Sequence, residues 1–123
     1  MLAGNNIYHF ISNRSLLLKD FPIRVYPVGP VQITFSNSKD QTNHTVQILM
    51  EKTKTVVTIN GTKITEEVPV IKYNSLNNLI LKYSKNHISV DNKFKIDGDL
   101  HSLRFIGFDS VKDTSWIIQN SKC

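Results

Sequence analysis

The sequence has 123 residues, of which 40% are hydrophobic, and this is enough material for one domain with a sizeable buried core. No stretch of about 18 apolar residues occurs, so no segment is expected to insert into a membrane. The only cysteine, Cys123, excludes an intrachain disulfide. The formal net charge of +5 would suit an anionic partner such as nucleic acid, an acidic glycan or a membrane surface. The lysines fall singly along the chain, however, which argues against a dedicated anion-binding patch and against a specific nucleic-acid partner.

The first half of the chain contains short runs that alternate between apolar and polar residues. Residues 21–26 include Pro22, which predicts an edge position or a strand start rather than a central strand, because proline cannot donate to a central ladder. The run VQITFS follows with period two, placing Val31, Ile33 and Phe35 on one face. TVQILM and TVVTI come next, separated by a polar turn, and predict two further strands.

The strongest local signal is the dipeptide Asn60–Gly61, which favours a type I′ turn because both central residues of that turn need positive φ. The turn predicts a hairpin in which Thr62 lies opposite Ile59 and Ile64 lies opposite Val57. Val57, Ile59 and Ile64 are therefore expected to share an apolar face. The residues between them are expected to look outward: Thr58, Lys63 and Thr65.

The second half of the chain shows the same pattern of short apolar runs separated by turn residues. Residues 68–71 include Pro69 and predict a weak edge segment. LILKYS and HISVD predict a hairpin closed at residues 84–86, and KFKID predicts a strand that ends at Asp97–Gly98. LRFIGFD and TSWII predict a final pair of strands, with the lone Trp116 dominating the core. The predicted core side chains are Phe35, Ile88, Phe105, Phe108 and Trp116.

Together these signals give about ten short strands at intervals of about ten residues, without helical periodicity longer than two turns. This pattern predicts an all-β fold, an antiparallel, jelly-roll-like β-sandwich. We expect it to occupy residues 1–123 as a single domain.

The residue types that perform chemistry do not gather into a signature. The histidines at 9, 44, 87 and 101 lack metal-ligand spacing, and the acidic residues of the last third do not follow the EF-hand pattern. The five glycines form no phosphate-binding loop, and no nucleophile elbow occurs. The sequence therefore predicts no catalytic residue, no metal and no cofactor, and favours binding over catalysis.

Three Asn-x-Ser/Thr sequons begin at Asn13, Asn43 and Asn60 and are candidate glycosylation sites. The amino-acid composition leaves the location of the protein open, and the three sequons slightly favour an extracellular over a cytoplasmic one. Asn60 is the poorest acceptor of the three, because it lies within the tight turn.

Four motifs in the second half follow a fixed order: a strand with an aromatic end, Ile-x-Val, an apolar pair before glycine, and a small residue before Trp. They are Leu79–Tyr83, Asn86–Val90, Phe105–Phe108 and Ser115–Ile117. Their order resembles the farnesoic acid O-methyltransferase-like domain over about residues 31–119. The resemblance implies a β-sandwich module of animal, often arthropod, proteins, including secreted multidomain ones. The family name implies methyl transfer, but no S-adenosylmethionine-type glycine loop on a β/α framework is present here.

The first functional hypothesis is a non-catalytic module that recognises a glycan or a protein surface, with Tyr73, Tyr83 and His87 as the candidate ligand-binding residues. The alternatives are an S-adenosylmethionine-dependent farnesoic acid O-methyltransferase of juvenile-hormone biosynthesis, and a structural domain that oligomerises through edges near Pro22 or Pro69. A galectin-type lectin is the nearest other sandwich, but its usual His-Asn-Pro-Arg and Trp-Glu sugar-binding groups are absent here.

Overall fold

The computed structural model describes residues 6–10, 19–37, 45–84, 86–98, 105–111 and 113–118. Their strands, in chain order, are β1 Asn6–Phe10, β2 Lys19–Tyr26, β3 Val31–Ser36, β4 Thr45–Met50, β5 Thr55–Ile59, β6 Thr62–Glu67, β7 Asn77–Ser84, β8 His87–Val90, β9 Phe94–Asp97, β10 Phe105–Ser110 and β11 Ser115–Ile118. A helix long and apolar enough to cross a membrane is absent from these described ranges.

The strands form two sheets. The six-stranded sheet has the order β1-β10-β3-β4-β5-β6, and the five-stranded sheet has the order β11-β2-β7-β8-β9. Every neighbouring pair is antiparallel. The apolar faces of the two sheets supply one cluster of buried side chains. The predicted all-β antiparallel sandwich is confirmed.

Period-two alternation explains which side chains enter the core. On β3, Val31, Ile33 and Phe35 are buried, and β4 buries the alternate residues Ile48 and Met50 in the same way. Burial of one such apolar side chain contributes roughly 1.5–3 kcal/mol. The inward faces of these two strands, which pair in register along their whole length, therefore supply much of the stability.

The hairpin between β5 and β6 turns where the sequence predicts. Asn60 has φ 51° and Gly61 has φ 86°, as a type I′ turn requires. The register follows the prediction for two residue pairs and then shifts at a β-bulge, so that Val57 lies opposite Thr65. Ile64 is the extra residue of the bulge and is 56% exposed. The prediction that Ile64 faces Val57 and enters the core is wrong.

Replacing Gly61 with alanine should lower the free energy of unfolding by about 1–2 kcal/mol, because a left-handed φ is costly for a residue with a Cβ. A Cβ on Gly61 would meet nothing within 4 Å, so the expected loss is backbone strain alone. Gly98→Ala is the matched control, since a Cβ there also meets open space and the residue lacks a left-handed φ. Urea unfolding of both variants checks this, and equal losses would contradict it.

The last two strands do not pair with each other, contrary to the prediction. β10 lies between β1 and β3 in the six-stranded sheet, whereas β11 lies beside β2 in the five-stranded sheet. The polar connection after Ser110 therefore crosses from one sheet to the other. Trp116, half-buried on β11, packs on Phe108 of β10 with ring centroids 5.1 Å apart. Its Nε1 donates a hydrogen bond of 3.0 Å to Oγ of Ser110.

The other side chains expected in the core differ in their exposure. Phe35 and Ile88 are fully buried, as is Phe108. Phe105 is only half-buried on β10, and Trp116 packs against the buried cluster from its margin. Among the described residues, aliphatic side chains and two phenylalanines, Phe35 and Phe108, thus dominate the interior rather than the indole.

Neither proline marks an edge strand. Pro22 belongs to β2, which lies between β11 and β7. The described pairing with β11 stops at Ile23, so Pro22 lies one residue beyond it. Pro69 belongs to the connection between β6 and β7, where Val70 and Ile71 are buried. The prediction of an edge segment at Pro69 is wrong, because Pro69 lies in a connection. For Pro22 the prediction against an interior strand is wrong, but its position just beyond the described pairing with β11 is one where a missing N–H donor is tolerated.

Candidate functional site

The candidate residues Tyr83 and His87 are close along the strands but lie on opposite faces of the five-stranded sheet. Tyr83 shares its side of β7 with the buried Leu81, and its ring centroid lies 6.1 Å from that of Phe35 in the other sheet. His87 lies on the outer side, where its Nδ1 is 3.2 Å from Oδ1 of Asp97. Tyr83 is therefore oriented for core packing rather than for stacking on a ligand.

The third candidate, Tyr73, lies in the connection that precedes β7, while Tyr83 lies near the far end of that eight-residue strand. The phenol oxygen of Tyr73 accepts a hydrogen bond of 3.1 Å from the backbone N–H of Lys52. Burial raises the pKa of Tyr73, with a smaller rise from the charge of Glu51, and the bond from Lys52 opposes both. The three predicted ligand-binding residues do not form one site.

Of the three sequons, those at Asn13 and Asn43 lie outside the described residues. The exposed Asn60 is described, and its side-chain Oδ1 accepts a hydrogen bond of 2.8 Å from the backbone N–H of Thr45. Its backbone N–H donates to the carbonyl oxygen of Thr45 at 2.9 Å. The side chain of Asn60 therefore helps to tie the hairpin turn to the start of β4.

The outer face of the six-stranded sheet brings polar side chains together near the β5–β6 hairpin. Gln47 of β4 pairs with Thr58 of β5, which pairs with Lys63 of β6. Neighbouring strands are about 4.8 Å apart, so these three residues, here called the polar row, present donors and acceptors over about 10 Å. Gln47 and Thr58 are half-buried and Lys63 is exposed.

A second row runs beside the polar row on the same face. Leu49 and Val56 are paired and half-buried, and Glu66 lies opposite Val56 at the sheet edge. Glu66 contacts the ammonium group of Lys63 and lies 3.7 Å from that of Lys54. The hydrogen bond from Lys63 and the charges of both lysines lower the pKa of Glu66, so the carboxylate stays ionised as an acceptor.

This face therefore combines charged groups, a half-buried amide and hydroxyl, and a small apolar strip. Such a surface can hydrogen-bond the hydroxyls of a ligand while its apolar strip contacts carbon atoms. None of these residues was identified from the sequence as a ligand-binding candidate. The available signal was the outward parity of Gln47, Thr58 and Lys63, but parity alone does not say which residues are neighbours. Glu66 gave no such signal, because strict alternation from Lys63 points it inward and only the bulge brings it to this face.

The outer face of the five-stranded sheet has a different character. A groove of about 220 Å³ runs between β11, β2 and β7. Its main side chains are Pro22, Ile80 and Ile117, and Arg24 is the one charged residue among the described residues of the lining. Ile80 and Ile117 are exposed, so the groove is an apolar surface with few groups to orient a polar ligand.

No family model matches the sequence, and neither does any curated protein. Solved structures do match. Sheep galectin-11, in a complex with glycerol, aligns with a TM-score of 0.67 and 12% identity, covering 94% of this chain and 99% of that chain. The fold is that of the galectins.

Two further galectins support this assignment over nearly the whole length of the chain. A Caenorhabditis elegans galectin aligns with a TM-score of 0.65 and 11% identity, covering 97% of this chain and 94% of that chain. The toad ovary galectin in a complex with thio-digalactose aligns with a TM-score of 0.62 and 13% identity, covering 94% of this chain and 100% of that chain. At these identities the likeness concerns the galectin fold, and no binding residue is transferred.

Proposed function

We propose that this chain is a non-catalytic glycan-binding module that recognises sugar on the outer face of the six-stranded sheet. The observation that carries the proposal is the galectin fold along almost the whole chain, since the toad ovary galectin with this fold forms a complex with thio-digalactose. The polar row and Glu66 are the groups that we assign to the site. The usual galectin-type His-Asn-Pro-Arg and Trp-Glu groups are absent, so a preference for galactose is not part of the proposal.

The chemistry of the face suits a carbohydrate. Sugar hydroxyls both donate and accept hydrogen bonds, and bonds to charged partners are the stronger ones. Lys63 offers an ammonium donor, Glu66 offers a carboxylate acceptor, and Gln47 can do both. Leu49 and Val56 would contact the C–H face of a ring. The sheet fixes the backbone positions of these residues, so a sugar does not have to order the backbone of the site when it binds.

Replacing Lys63 with alanine should raise the Kd of the best glycan about tenfold or more, because a charge-assisted hydrogen bond is worth roughly 1.5–3 kcal/mol. A glycan array identifies that ligand, with thio-digalactose as a defined probe, and calorimetry measures the Kd. Lys95→Ala is the matched control, since Lys95 is an exposed lysine on β9 with an acidic neighbour, Asp97. No glycan binding, or equal losses in both variants, would refute the proposal.

Two other hypotheses receive less support. The motifs that resemble the farnesoic acid O-methyltransferase-like domain fit a β-sandwich, but methyl transfer would further require a site for S-adenosylmethionine, which calorimetry can test. An assembly role was based on edges near Pro22 and Pro69, neither of which lies on an edge strand. Binding of a protein partner, self-association, secretion and glycosylation at Asn13, Asn43 or Asn60 remain predictions.

A further inference from the structure

A cleft of about 500 Å³ lies at the end of the sandwich where three connections meet. The connections are those between β4 and β5, between β6 and β7, and between β8 and β9. Each contributes one lysine to the lining: Lys52, Lys72 and Lys93 respectively. Residues that are far apart in the sequence therefore place three lysines around one concavity, which lies away from the polar row.

The backbone of each lysine is fixed by a hydrogen bond from its own N–H. The acceptors are the phenol oxygen of Tyr73 for Lys52 at 3.1 Å, Oδ1 of Asn77 for Lys72 at 2.9 Å, and the carbonyl oxygen of Val90 for Lys93 at 3.0 Å. The side-chain amide of Asn77 also donates to the carbonyl oxygen of Lys72 at 2.9 Å. The three turns are thus held in place before a ligand arrives, which lowers the cost of binding.

The described lining of the cleft has a net positive charge. It contains three lysines and one acidic residue, Asp91, which together carry a formal charge of +2. Among the described residues, none of these lysines forms an ion pair, whereas Lys54, Lys63 and Lys95 each lie beside a carboxylate. Like charges gathered in a concave surface repel each other and attract an anion.

We propose that this cleft binds a sulfated oligosaccharide. Lysine ammonium groups are point charges that suit the oxygens of a sulfate ester. Leu76, which is 55% exposed, and the exposed Asn78 supply an apolar edge and an amide for the sugar that carries the ester. The site lies on a different surface from the one assigned above, and its occupancy does not depend on neutral sugar binding there.

The lining disfavours other anionic polymers. None of the described residues that line it is aromatic, so this part of the cleft offers a single-stranded nucleic acid no ring on which to stack its bases. An extended acidic peptide commonly pairs with an exposed strand edge. Among the described lining residues, those that belong to a strand are Asn77, Asn78 and Leu79 of β7, and β7 lies between β2 and β8 in its sheet.

Calorimetry at low salt should detect binding of a fully sulfated disaccharide, and not of its unsulfated counterpart. The double variant Lys72→Gln/Lys93→Gln should weaken that binding at least tenfold, because it removes two charge-assisted contacts. The control Lys82→Gln/Lys95→Gln makes the same change in net charge on the outer face of the five-stranded sheet and should stay within twofold. The affinity should also fall as salt rises from 50 to 300 mM, roughly in step with the screening of charge.

Four results would overturn the inference. They are equal binding of both disaccharides, inorganic sulfate binding as tightly as the sulfated disaccharide, a glutamate hexapeptide binding more tightly than the sulfated disaccharide, and equal losses of affinity in the two double variants.

Lys63→Ala separates this inference from the proposed function, because it should weaken the binding of neutral glycans and leave the binding of the sulfated disaccharide unaffected. If neutral glycans fail to bind while the lysine variants behave as expected, the inference stands and the proposed function fails.

Discussion

Ile48→Ala should lower the free energy of unfolding by about 2–5 kcal/mol, the usual loss for truncating a buried isoleucine. Ile64→Ala should change it by less than about 0.5 kcal/mol, as is usual at the surface. Ile48 is 0% exposed and lies between Ile33 and Val57 in the six-stranded sheet. Ile64 belongs to the same sheet, but the bulge in β6 leaves it 56% exposed. Both substitutions remove the same atoms of an isoleucine side chain, so the difference between the two losses of unfolding free energy reflects the different burial of the two side chains.

Urea unfolding measures both losses, and an unchanged m-value indicates that the exposed surface on unfolding is the same in each variant. Similar losses in the two variants would mean that Ile64 packs inward, as strict alternation predicts, and would contradict the bulge. Circular dichroism of both proteins at zero urea establishes that each starts from the same folded state.

The contrast at Ile64 illustrates how far strand patterns carry a prediction. The alternation of VQITFS and the dipeptide Asn60–Gly61 identify strands and a turn, because side-chain direction and positive φ are local properties. A bulge is different, because one inserted residue moves every later side chain of the strand to the opposite face of the sheet without changing the types of residue in the strand. Nothing in the run TKITEE states that the register shifts between Val57 and Thr58.

The partner of a strand is also not a local property. LRFIGFD and TSWII look like a hairpin, because a short polar segment separates two apolar runs. The same segment is compatible with a crossing from one sheet to the other, which is what β10 and β11 do. The two arrangements differ in which distant strands are paired, β3 for β10 and β2 for β11, and the sequence contains no comparable signal for that choice.

Residue type alone suggested Tyr73, Tyr83 and His87 as ligand-binding residues, and residue type does not tell which side chains share a surface. Tyr83 has the same parity as Leu79 and Leu81, so the alternation of β7 already predicted that its ring points inward. The role of Tyr73 depends on a bond to Lys52, which is 21 residues away in the sequence. The polar row depends on the registers of three strands. The sequence indicates which face of its own strand each residue occupies, but it does not indicate which residues of other strands lie beside it.

Phe108→Ala should be among the most destabilising single substitutions in the chain, with an expected loss of about 3–5 kcal/mol. Phe108 is 0% exposed on β10, and its ring is tilted by 56° against that of Trp116 on β11. Such an aromatic pair adds roughly 0.5–1.5 kcal/mol beyond the area that it buries. Because the two strands belong to different sheets, removal of the ring opens a cavity between the sheets.

Trp116 is the only tryptophan, so its fluorescence reports this contact without interference from other indoles. In Phe108→Ala the emission should shift to longer wavelength in the folded state, because water gains access to the half-buried indole, and the urea midpoint should fall. Phe108→Leu retains most of the volume and should lose less than about 1.5 kcal/mol. A loss below 1 kcal/mol in Phe108→Ala with unchanged emission would show that Trp116 does not rest on Phe108. The contact between the last two strands would then have no part in holding the sheets together.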